Sequence, residues 1–70
     1  MILIQAEIPH YNSREGKWEL PESILYQWNE ETGVLSNDTH KCRVGTVKTL
    51  PDVMRWIQFH MRGTVLEVVR

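Results

Sequence analysis

A single cysteine, Cys42, among 70 residues leaves no partner for an internal disulfide. That excludes a stapled, secreted mini-scaffold and makes a reducing, cytoplasmic setting the expectation. Long apolar runs are also missing. The hydrophobic start, Met1 to Ile4, meets Gln5 and Glu7 too soon for a signal-peptide core, and nothing approaches the roughly 20 residues of a membrane span. No membrane partner is expected. Neither sign of charge dominates, because eight Lys and Arg stand against nine Asp and Glu for a net charge of −1. That balance argues against broad electrostatic capture by nucleic acid or an anionic membrane, and it does not exclude a local basic stripe.

Tails, linkers, repeats and low-complexity tracts are absent as well, so the chain reads as one domain, residues 1–70, and as a complete small gene product. Glycine-rich phosphate loops and paired metal-ligand motifs do not occur. His40 and Cys42 alternate on one side of a strand, but His10 and His60 are remote in sequence. Metal sites need three or four ligands, so no metal and no cofactor are expected. A Cys42–histidine nucleophile pair has no spacing to select it over an inert thiol, and a chain this small seldom encloses a substrate pocket. The expectation is a protein that is not an enzyme.

What is present is an ordinary globular composition, 41% hydrophobic and 24% charged, in a chain near the lower size limit for a self-supporting core. Three Trp in so short a chain supply a large apolar area, either to fill a tiny core or to serve an interface.

Residues 2–8 alternate, with Ile2, Ile4, Ala6 and Ile8 opposing Leu3, Gln5 and Glu7, as in a half-buried strand. Pro9 is expected to end that strand, and residues 10–16 read as a loop. Trp18 and Leu20 share one side of a short extended piece that Pro21 interrupts. Ile24, Tyr26 and Trp28 then alternate with Leu25 and Gln27 as a second strand, although residues 21–31 also fit a short helix with Pro21 in its first turn. The hairpin reading is preferred because the residues are β-branched and aromatic. It places Asn29 to Gly33 in a turn with Gly33 left-handed, and residues 34–36 return.

After a polar turn at residues 37–39, residues 41–48 extend again, and Gly45 hints at a bulge. Thr49 and Asp52 have the spacing of a capping box and Pro51 suits a first turn, so a helix follows over about residues 50–62. Leu50, Val53, Met54, Ile57 and Met61 give it one buried stripe, and Gly63 stops it. The branched residues 64–69 form a last strand, expected to pair in parallel with a neighbour through the helical crossover. The fold class is therefore α+β, a small, mostly antiparallel sheet of four or five strands with one helix on one face, in the order β-β-β-β-α-β.

Turning 100° per residue from Leu50 puts Phe59 on the outside of that helix, with Trp56 on one flank and Arg55 and Arg62 on the other. Arg55 and Phe59 are four apart, so guanidinium and ring can stack, and these residue types anchor protein interfaces. Arg55, Trp56, Phe59 and Arg62 are thus the candidate site for an unidentified protein partner, with an exposed sheet edge as a second route and a homo-oligomer as one outcome. The alternative is a nucleic-acid-binding regulator whose sheet face carries Tyr26, Trp28, Lys41 and Arg43, against the preferred reading of the two rings as core and the charges as a solvated face. Nucleic acid ranks second because Glu30, Glu31 and Asp38 lie close by in sequence and no RNP-like motif accompanies the aromatics.

Overall fold

Three short stretches, each opened by an asparagine, turn the chain back on itself in the same way. The computed structural model describes residues 1–70. Its strands are β1 (Ile2–Asn12), β2 (Lys17–Trp28), β3 (Val34–Asn37), β4 (Cys42–Thr46) and β5 (Thr64–Val69), with the helix α1 (Leu50–His60) before the last. At the β1–β2 turn the Asn12 side-chain oxygen accepts from the Arg14 and Glu15 N–H groups, and at the β2–β3 turn Asn29 accepts from Glu31 and Thr32. Asn37 does the same for His40 at the β3–β4 turn. Such side chains mimic a backbone turn. Four residues past each asparagine the chain enters the left-handed region, at Gly16 (φ 65°), Gly33 (φ 77°) and Lys41 (φ 53°). Glycine is required most at residue 33, where a Cβ would stand 2.8 Å from the Val47 carbonyl oxygen.

These turns join β1 to β4 in succession, and β5 completes one antiparallel sheet of five in the order β4-β3-β2-β1-β5. The expected parallel pairing of β5 does not form. It lies beside β1, antiparallel, with Ile4 opposite Val68. Because strand direction alternates across the sheet, β4 and β5 do run the same way, but at opposite edges with three strands between them. The helical crossover thus carries the chain across the whole sheet instead of to an adjacent strand.

The predicted hairpin, and not the rival helix, occupies residues 21–31. Pro9 and Pro21 do not break their strands, contrary to the sequence reading. Pairing runs from Ile8 opposite Glu22 to His10 opposite Glu19, so Pro9 faces Leu20 and Pro21 across a bulge. A bulge is one of the few places in a sheet that forgives a missing N–H. Beyond it, residues expected to be a loop form a two-stranded arm, which reaches past β3 on one side and β5 on the other. The molecule is accordingly long, 42 Å by 20 Å by 20 Å.

Thr49 caps α1 as its spacing implies, its hydroxyl accepting from the Asp52 N–H, and Pro51 sits in the first turn. Val53 and Ile57 are fully buried, while Leu50, Met54 and Met61 of the expected stripe are half-buried. They cover one sheet face, where Ile2, Ile4, Ala6, Ile24, Tyr26, Trp28 and Leu35 complete the core. The Trp28 indole N–H donates to the Val47 carbonyl at 3.0 Å and so ties the sheet to the segment entering the helix. The helix ends at His60, slightly short of its expected limit, and Arg62 (φ 52°) takes the left-handed position. Gly63 serves packing instead: a Cβ there would collide with the Ile8 side chain and crowd Ile57.

Candidate functional site

The outward row of α1 follows from its inward one. With Val53 and Ile57 directed at the sheet, Asp52, Arg55 and Phe59 must point away, three or four residues apart on the opposite surface. Phe59 is 77% exposed, and no loop or sheet edge covers it. Trp56 is half-buried, one part packed on the core and its ring stacked on His60 with centroids 5.2 Å apart. The Arg55–Phe59 stack expected from their spacing does not form. Arg55 leans instead toward Asp52, at 3.7 Å, an exposed pair that adds little stability. Arg62 lies beyond the helix, turned toward the arm by its left-handed backbone.

Two open grooves flank this row. The first, about 640 Å³, lies between the arm and the end of the helix, lined by Pro9, Tyr11, Trp18, His60, Met61 and Arg62. The second, about 370 Å³, runs along the helix from Thr46 and Lys48 past Arg55 and Trp56 to Phe59. His60 lines both. Together they make one surface holding all four residues nominated from sequence, and they add two aromatic side chains that the sequence reading missed. Tyr11 and Trp18 face each other across the arm with ring centroids 5.2 Å apart, and Trp18 is 56% exposed. Their signal was the spacing itself. Asn12 and Gly16 repeat the pattern of Asn29 and Gly33, so the hairpin legible at the second turn was equally written at the first.

The nucleic-acid face is not assembled. Tyr26 and Trp28 point into the core and are 0% and 4% exposed, because they share the inward register of Ile24. Arg43 pairs with Ser36 on the open sheet face and donates to the Thr46 hydroxyl at 3.1 Å, while Lys41 sits in the third turn against Asp38 at 3.1 Å. The two rings and the two cations lie apart.

Elsewhere the molecule offers less. The Tyr26 hydroxyl is buried with no protein partner, and its pKa is pushed up, first by burial and then by the nearby Cys42 and Glu22. No three His, Cys, Asp or Glu side chains converge where a metal ion could sit, and no helix is long and apolar enough to cross a membrane. The outermost strands are β4 and β5, and each carries a bulge, at Val44 and at Leu66. The Val44 bulge is the one Gly45 announced. No protein-family model matches the chain, and no curated protein or solved structure shows a significant match to it.

Proposed function

We propose that this protein is a small, non-enzymatic binding module, of the regulatory, adaptor or inhibitor kind, that grips another protein through the outer face of α1. The observation that carries the reading is Phe59, a large ring left 77% exposed on a helix whose other face holds the core. Leaving it in water forgoes roughly 2 kcal/mol of burial, which a partner recovers. Arg55 and Trp56 lie beside it and Arg62 beyond the helix end, and arginine and aromatic side chains form the energetic centres of protein interfaces. A cytoplasmic setting belongs to the same proposal, resting on the unpaired Cys42.

Two rival readings lose support. Nucleic-acid recognition through Tyr26, Trp28, Lys41 and Arg43 would need rings that are buried beneath the helix. Self-association along β4 or β5 would have to extend a bulged strand, and bulges blunt edge pairing.

Capture of a partner by tagged protein, with the bound chains identified by mass spectrometry, tests the proposal. Phe59→Ala and Arg55→Ala change thermal stability by no more than about 0.5 kcal/mol, as exposed positions do, yet together they abolish capture. Retention of the same partner by the folded double variant would contradict the reading.

A further inference from the structure

The charge of the two grooves differs from that of the rest of the molecule. Lys48, Arg55 and Arg62, three of the eight Lys and Arg, line them against Asp52, one of the nine carboxylates, so the grooves carry +2 and the remaining surface −3. No carboxylate lines the arm groove. Glu19 is held away on the arm's other face, where the Asn12 side-chain amide donates to it at 2.8 Å and His10 lies 3.9 Å off. Glu15 pairs with Lys17 at the tip. The walls of the groove are apolar, formed by Pro9, Tyr11, Trp18 and Met61. Apolar walls beside Arg62, a cation that no carboxylate of the arm groove opposes, concentrate the field that draws in an anion.

Resting on the protein-binding reading above, we propose that the occupant of the arm groove is an acidic protein segment anchored by one bulky apolar side chain. The groove's volume, about 640 Å³, is ample for such a side chain with its flanking backbone. Carboxylates before or after the anchor then meet Arg62 on one side and Arg55 and Lys48 along the helix. A nucleic acid is the poorer fit on the same observations. Three cations neutralise few phosphates, and in the arm groove Tyr11 and Trp18 tilt against each other at 57° instead of presenting parallel faces to successive bases.

Selection from a random dodecapeptide library displayed on phage, against the immobilised full chain, tests this. Enriched peptides carry net negative charge and one Phe, Trp, Leu, Ile or Met. Synthesised singly, they bind at least about tenfold more weakly to an Arg55→Glu, Arg62→Glu variant of unchanged thermal stability, as expected when attraction becomes like-charge repulsion. Enriched peptides that are neutral or basic, yet lose binding with Phe59→Ala, would overturn the acidic partner and keep the binding surface. No enrichment, or enrichment indifferent to Phe59, would overturn both. Tighter binding of a fluorescein-labelled ten-nucleotide oligo-dT than of any selected peptide would assign the groove to single-stranded nucleic acid instead.

Discussion

The strands β1 and β2 live two lives. From Ile2 to Ala6 and from Ile24 to Trp28 they lie under the helix, and their inward side chains are almost wholly buried. Past the bulge at Pro9 the same two strands continue as an arm with no layer over either face, where Leu20 is 91% exposed. The hydrogen-bonded ladder is common to both halves, so the contrast separates what burial contributes from what pairing alone can hold. A two-stranded ribbon by itself is marginal in water. The body folds because it buries a core. The arm stands because the body anchors its base and Asn12 and Gly16 close its tip.

Core truncation should break the comparison most severely. Ile57→Ala removes a fully buried side chain from the centre of the helix contact and costs about 3 to 4 kcal/mol by urea denaturation, whereas Leu20→Ala in the arm stays within about 0.5 kcal/mol. Next comes the turn backbone. Gly33→Ala meets both a positive φ and the Val47 carbonyl, and loses about 2 kcal/mol or more; the same change at Gly16, where the nearest atom is the Tyr11 hydroxyl at 3.9 Å, loses only the conformational part, about 1 kcal/mol.

Two substitutions should instead sharpen the body. Tyr26→Phe relieves a buried, unpartnered hydroxyl and raises stability by about 1 kcal/mol. The pH dependence has a definite sign. A tyrosine whose pKa is raised on folding supports the native state fully below its unfolded pKa, and that support is lost as pH rises through the folded one. Wild-type stability therefore declines in alkali above about pH 10, and Tyr26→Phe flattens the decline. Lys41→Gly, at the one left-handed turn position not already glycine, gains about 0.5 kcal/mol, its exposed link to Asp38 counting for little. The smallest equilibrium effect is local: arm amides at residues 10–12 and 17–20 exchange hydrogen by fraying, far faster than those at residues 24–28.

The body was legible because burial writes a pattern. Ile2, Ile4, Ala6 and Ile8 announce a half-buried strand, Thr49 and Pro51 announce a helix start, and Val53 with Ile57 announce its inner face. The arm has no inner face, so its residues show no such pattern, and Pro9 and Pro21 read as strand breakers until the bulge is seen to accommodate them. The site divides along the same line. Phe59 and Arg55 followed from helical geometry once the buried stripe was fixed. Tyr11 and Trp18 required knowing that two distant residues pair across a turn. Tyr26 and Trp28 belong to a surface only in the alternative reading, and their register with Ile24 sets them in the core, as the preferred reading has it. The parallel pairing of β5 failed for a further reason, since a crossover of sufficient length permits a parallel neighbour without requiring one.

Amide shift mapping by NMR, with the isotope-labelled full chain titrated by the tightest selected peptide, tests the central claim most directly. Perturbations are expected to concentrate on Arg55 to Arg62 of the helix end and on Pro9's neighbours and Trp18 of the arm, joining the two halves of the surface in one event. Shifts gathered on Leu3, Leu25 and Val69, on the uncovered face of the sheet, would contradict it.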